Sequence, residues 1–294
     1  MDSNPSKARS QAVETQVRVS AVVVTRATGQ PLELCLRSAL AEPWVDELII
    51  VDNGNPRPVG SALRALQADR RDVVLLQGHG DVGLAAGANL GASRARGRWL
   101  LFLDPAVVLQ RGAVERMAAA GGDARSPWIV GARLTDTRGR DRRSTRRGAL
   151  TAWSGLAVAM GIGAASAAPR RKEAGEPQEA AAVSGELMLI PRADFEALGG
   201  FDEGYAADAA DLDLCRRAAE AGGRVLLQPA ASGVQFVVER SRAARRQIDG
   251  LARFMERSAR SPAERAIAFM ARPTLSAIVA SRKLARAVFG AQPN

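Results

Sequence analysis

The sequence predicts an α/β protein whose mostly parallel central sheet carries helices on both faces, with further helices at the C-terminus. Three observations lead there. Short β-branched, apolar runs alternate with helix-spaced segments over the first 131 residues. The runs are apolar almost throughout instead of alternating with polar residues, as strands buried on both faces are. The segments between them are long enough for crossover helices, which the right-handed rule arranges as a doubly wound layout.

Taken in order, 17–24 (VRVSAVVV) reads as the first strand, and apolar residues recur at helical spacing over 31–41. The run 47–52 (ELIIVD) is a second strand, followed by a Pro/Gly turn and a short helix at 61–68. A third strand covers 72–77 (DVVLLQ), a helix 83–96, and a fourth strand 98–104 (RWLLFLD). Residues 133–182 read as an inserted loop region: seven arginines within 133–147, an Ala/Gly stretch, and a mixed-charge run with Pro and Gly. Regular structure resumes at 184–190 and continues as a short helix to Leu198, the turn GGFDEGY, a helix over 211–221 closed by Gly222 and Gly223, and a last strand 224–228 (RVLLQ).

The 294 residues are 47% hydrophobic and 24% charged, enough apolar material for a sizeable core and unlike a disordered, collagenous or disulfide-built chain. Of the formal net charge of +10, residues 239–294 carry +8, so the body is nearly neutral. Three segments follow: a disordered 1–16, a main domain at 17–238, and a basic amphipathic helical tail at 239–294. The N-terminus has no apolar core and is not a secretory signal. The uncharged stretch 150–168 approaches the length of a membrane span, but it is mostly Ala, Gly and Ser and reads as a loop or buried helix. Cys35 and Cys215 sit in apolar helical patterns and are expected to be reduced thiols. His79, the single histidine, has no ligand partners at metal spacing and reads as a loop residue.

In open α/β sheets ligands bind at the carboxyl ends of the strands. Thr25 ends the first strand, Asp52-Asn53-Gly54 the second and Asp104-Pro105 the fourth, while the Gly-rich turn Gly83–Asn89 opens the helix after the third. An acid at Asp52 suits ribose hydroxyls or a base; it equally suits a turn. A dinucleotide-binding reading fails, because only Gly29 follows the first strand where G-x-G-x-x-G is needed. The spacing Gly83, Gly87, Gly91 places glycines along one helix face, which suits packing.

The succession VSAVVVTR, ELIIVDNGN, VGLAAGANLGASRARGRWLLFLDP, SGELMLIPRADFEALGGFDEGY and DLDLCRRAAEAGGRV resembles the family 2 glycosyltransferases, rhamnosyltransferase-like members above all, over residues 17–235. The resemblance implies a GT-A-type, Rossmann-like fold and inverting transfer of a sugar from a nucleoside diphosphate sugar. It implies that Thr25, Asp52, Asn89 and Asp104 face the nucleotide sugar, that Asp104 opens a D-x-D element holding Mn²⁺ or Mg²⁺, and that Asp211 is the general base. The sequence departs from the pattern at chemical positions. Ala106 replaces the second carboxylate of D-x-D, Ala210 the glutamate before the base, and Gln235 a histidine after the last strand; Arg26-Ala27 and Ala88 replace further polar groups. A lone Asp104 is thin provision for a hard cation, so a cation-poor mechanism would rest on arginines of the 133–147 loop or Arg111.

Two readings follow. One is an inverting glycosyltransferase acting on a saccharide or lipid-linked acceptor in cell-surface polysaccharide assembly, at the cytoplasmic face of the membrane. The other is a degenerate glycosyltransferase fold serving as a binding or regulatory partner. The tail at 239–294 reads either as a solvated basic face or as a segment lying on an anionic membrane surface. Nucleic-acid binding is set aside, because no recognised module or aromatic platform accompanies the charge.

Overall fold

The computed structural model describes residues 18–26, 29–122, 124–142, 146–147, 175–205, 209–237, 243–259, 261–266, 268–269 and 273. The elements are β1 (Val19–Thr25), α1 (Gln30–Leu40), β2 (Val45–Asp52), α2 (Arg57–Asp69), β3 (Val73–Leu76), α3 (Leu84–Ala92), β4 (Trp99–Leu103), β5 (Val107–Leu109), α4 (Ala113–Gly122) and β6 (Trp128–Thr135). They continue as β7 (Arg146–Arg147), β8 (Gln178–Glu179), β9 (Ala182–Val183), β10 (Leu187–Pro191), α5 (Arg192–Ala197), α6 (Ala210–Glu220), β11 (Arg224–Gln235) and α7 (Ala243–Ser258).

One nine-stranded sheet runs β3-β2-β1-β4-β10-β6-β11-β5, with β8 beside β11. The first four strands are mutually parallel, and β6 and β11 share their direction; β10, β5 and β8 oppose it. The mostly parallel sheet expected from the sequence is thus present. The apolar runs have a direct cause. Val19, Ala21 and Val23 of β1 pack against α1, α2 and α4 on one face, while Val22 and Val24 pack against α3 and the later helices on the other. Both faces of a central strand are covered, so its alternate side chains are mostly apolar, and the buried Ser20 is satisfied by a hydrogen bond to Glu47.

Helix α3 lies close on the sheet because its inner face is small. A Cβ on Gly87 would come within 2.8 Å of Val24, and one on Gly91 within 2.4 Å of Val22 and 3.2 Å of Val51. Gly83 acts differently, as the residue before the helix, with φ of 88°. The packing expectation therefore holds for two glycines of the three.

Several elements depart from the sequence reading. The sequence predicts that the last strand stops at Gln228, before Pro229, yet β11 continues to Gln235 through an irregularity at 228–232 that accommodates the proline. Within 133–182, the strand β6 extends to Thr135, and β7 pairs with β9. The stretch 150–168 lies outside the described residues. Among the described residues no helix is long and apolar enough to cross a membrane. Both cysteines are buried thiols outside any disulfide, as expected, and burial, with Asp104 adding to it, pushes the Cys35 thiol pKa up.

Gly91→Ala is expected to lower unfolding stability by about 1–2 kcal/mol, because overpacking outweighs the better helix propensity of alanine. Gly122→Ala, where a Cβ meets nothing within 4 Å, serves as the control and is expected to be neutral or slightly stabilising in urea denaturation. Equal stability of the two variants would show that α3 has room to move.

Candidate functional site

A cavity gathers residues from the carboxyl ends of β1 and β4, the start of α3, the loop before β10 and the start of α6. Its apolar wall includes Val22, Val24, Ala88, Phe102 and Phe201, and its polar lining is Asp104, Glu186, Tyr205 and Asp211. Asp104 and Asp211, 107 positions apart in the chain, are thus brought to one place.

The Asp104 backbone N–H donates to the Glu186 carbonyl at 2.9 Å, which seats the end of β4 against β10. Its Oδ1 accepts the Ala106 N–H at 2.8 Å, closing the turn Asp104-Pro105-Ala106. Ala106 itself is buried. Asp211 stands in the first turn of α6; its Oδ2 accepts the Gly185 N–H at 2.9 Å and its Oδ1 the Leu212 N–H at 2.9 Å. Gly185 sits close against it, and a Cβ there would lie 3.1 Å from that of Asp211. Ala209, just before α6, has φ of 72° and is the only non-glycine residue with positive φ among the described residues. It also lines the cavity, and backbone strain of this kind concentrates at functional sites.

Sequence reasoning does not single out Glu186. Its Oε1 accepts from Gln235 Nε2 at 2.6 Å and its Oε2 from Ser184 Oγ at 3.0 Å. Gln235 Oε1 accepts in turn from Arg142 Nε at 2.8 Å. The residue standing where the resemblance places a histidine is therefore a neutral bridge between a cavity carboxylate and an arginine of the 133–147 region. The one signal in the sequence is an acid opening an otherwise apolar strand, legible only once β10 is known to run antiparallel beside β4.

Thr25 and Asp52 lie side by side at the ends of β1 and β2, paired in register. Asp52 Oδ1 accepts both the backbone N–H and the side-chain amide of Asn55 at 2.8 Å, a turn role alongside any ligand role. Asn53 ties this edge to the loop before α3 by accepting the Val82 N–H at 3.0 Å and donating to Asp81 at 3.0 Å. Asn89 lies apart from the cavity lining. Its Oδ1 accepts the Phe201 N–H and its Nδ2 donates to the Phe201 carbonyl and to Glu203, each at 2.9 Å. Its side chain fixes the turn GGFDEGY.

That turn is held from its other side by α7, which buries Ala252, Phe254 and Met255. Arg253 pairs with Asp202 at 3.1 Å and Arg257 with the same carboxylate at 3.2 Å. Burial acts to raise the Asp202 pKa, but the Gly204 N–H and the two guanidinium groups outweigh it and hold the carboxyl below the usual carboxylate range.

Whether these residues fit a divalent cation follows from the donor set. Hard cations take several oxygen ligands. One oxygen of Asp104 is engaged by Ala106 and both of Glu186 by Gln235 and Ser184. Among the described residues no three His, Cys, Asp or Glu groups come together to hold a metal. The carboxylates that the cavity lining offers to a cation are Asp104, Glu186 and Asp211.

Fold and cavity together define a GT-A-type protein: a Rossmann-like sheet with a carboxylate-lined cleft at its strand ends. The profile of glycosyl transferase family 2 matches residues 20–174, more than half of the chain. The chain belongs to that family. Among solved structures it is similar to GalNAc-T7 with UDP, GalNAc and Mn²⁺, with TM-score 0.60 and 18% identity over 76% of this chain. It spans 44% of the GalNAc-T7 chain. It is also similar to the mannosyltransferase PcManGT from Pyrobaculum calidifontis in complex with GDP-Man and Mn²⁺, with TM-score 0.59 and 19% identity, covering 94% of this chain and 76% of that one. The S. aureus TarS 1-349 structure gives TM-score 0.54 and 12% identity, covering 92% of this chain and 74% of that one. No curated protein matches significantly.

Asp202→Asn is expected to lower stability at pH 7 by about 1 kcal/mol, a modest figure because the arginines are partly exposed. The native pKa is depressed, so this contribution is present above the unfolded-state pKa and is lost as pH falls through the native one. Thermal melts of wild type and variant should therefore converge in acid. A difference that does not shrink as the pH is lowered into the acid range would contradict the ion-pair account.

Proposed function

We propose that this protein transfers a sugar from a nucleoside diphosphate sugar to a hydroxyl acceptor with inversion at the anomeric carbon. The observation that carries the proposal is the meeting of Asp104 and Asp211 in one cavity at the strand ends. An acceptor hydroxyl must lose its proton as it attacks, and Asp211 is the carboxylate we assign to take it. The acceptor oxygen bonds to the anomeric carbon on the face opposite the diphosphate, whose bond to that carbon breaks; the configuration inverts.

Thr25 and Asp52 would face the nucleoside and Asp104 the diphosphate side, with Asn89 acting through the turn it fixes. The departing diphosphate gathers negative charge, and positive groups aimed at it stabilise the transition state. Arg142, linked through Gln235 to Glu186, is the arginine we assign to that role, in place of a resident metal. A saccharide or lipid-linked acceptor in cell-surface polysaccharide assembly fits this chemistry. A location on the cytoplasmic membrane face through the basic segment 239–294 fits the charge distribution.

Calorimetric titration with UDP-N-acetylgalactosamine, GDP-mannose and dTDP-rhamnose, with and without Mn²⁺, followed by turnover, tests the reading. Asp211→Asn is expected to reduce kcat by about 10²–10⁴ while nucleotide-sugar affinity stays within about threefold. Absence of any binding under both conditions eliminates sugar transfer and favours the degenerate binding protein. Tight binding that depends on Mn²⁺ overturns the assignment to Arg142.

A further inference from the structure

Tyr205 is fully buried and lines the cavity, yet its hydroxyl has no hydrogen-bond partner among the described residues. A buried hydroxyl left unpaired is a net cost to the free protein, and natural structures rarely keep one without a use. The side chain is held firmly in this position. Its backbone N–H donates to the Asp202 carbonyl at 3.0 Å, and the Arg253 guanidinium lies over its ring, 5.4 Å from the centroid. Arg253 is itself fixed by Asp202. Burial first, then the charges of Asp213 and Asp202, push the phenol pKa up, so the group is a neutral donor at any physiological pH.

The surroundings indicate what it would donate to. The other polar groups of the lining are the carboxylates Asp104, Glu186 and Asp211, which only accept when ionised. A polyhydroxylated ligand suits this mixture, because each sugar hydroxyl can donate to a carboxylate and accept from a phenol. We propose that Tyr205 Oη is a specificity-determining donor to an oxygen of the transferred sugar, an inference that rests on the glycosyltransferase reading of the same cavity. The hydroxyl is sealed from water in the free protein, so contact follows a local displacement of the wall as the sugar enters. The left-handed Ala209 stands in that same wall.

Tyr205→Phe keeps the ring and removes only the donor. Calorimetric melting of the full chain is expected to give a Tm equal to or above that of wild type, since no hydrogen bond is lost in the free state. Affinity for whichever of UDP-N-acetylgalactosamine, GDP-mannose or dTDP-rhamnose binds the wild type is expected to fall about tenfold. Affinity for the matching nucleoside diphosphate alone should not change. A lowered Tm with unchanged sugar-nucleotide affinity overturns the inference by making the hydroxyl structural, and an equal loss for the bare diphosphate overturns it by removing the sugar contact. If wild type binds none of the three, the glycosyltransferase reading fails and this inference falls with it.

Discussion

The hydrogen bonds between the Asn89 side chain and the backbone of Phe201 tie α3 to the turn GGFDEGY across 112 positions of sequence. An amide presents a donor and an acceptor side by side, so it can satisfy a backbone N–H and C=O as a neighbouring strand would. The bond pair requires Gly200, whose φ is +69° and whose missing Cβ would lie 2.8 Å from Asn89 Oδ1. From this anchor Phe201 joins Phe102 and Phe195 in an aromatic cluster with centroids 4.8–5.3 Å apart, which closes one side of the cavity. Tyr205 and the approach to Asp211 follow within ten residues. Asn89 thus shapes the turn beside the cavity, and it is one of the residues that the family resemblance turns toward the nucleotide sugar.

Arginine does two kinds of work in this chain. Around buried acids it neutralises charge that the fold has taken out of water. Asp213, fully buried, receives Arg216 at 2.9 Å and Arg217 at 2.7 Å, and buried Glu47 receives Arg96 at 2.7 Å and the Ser20 hydroxyl at 2.5 Å. A planar fork can serve a carboxylate and a carbonyl at once, as Arg217 does with Asp213 and Gly200. The cavity acids are held differently, with backbone N–H groups on Asp211 and a neutral amide and hydroxyl on Glu186. Fixing a carboxylate by dipoles orients it while leaving the cleft open to a substrate.

The strands β1 to β4 and their helices were legible because burial on both faces writes an unbroken apolar run into the sequence. The segment from β5 to β6 gave no comparable signal: β5 has three residues, and α4 (AVERMAAAGG) is rich in alanine and glycine. Strand direction was not legible either, since nothing local in LMLIP says that β10 runs against β4. Asp104 and Asp211 could be chosen as acids at a strand end and a helix start. Glu186 could not, because its importance comes from a neighbour in space. Arg253 was hidden for the opposite reason, as one of many basic residues in a tail read by its total charge.

The grip of α7 on the turn that carries Tyr205 also bears on the order in which the molecule is completed. Chains fold from the N-terminus as they are synthesised, and the sheet needs nothing beyond β11 to assemble. Arg253 emerges 51 residues after its partner Asp202, so the cavity wall acquires its outer brace only when the sheet beneath it already exists. Early in synthesis the turn that carries Tyr205 is therefore unbraced, and α7, from the segment that looked like a separate appendage, supplies the brace.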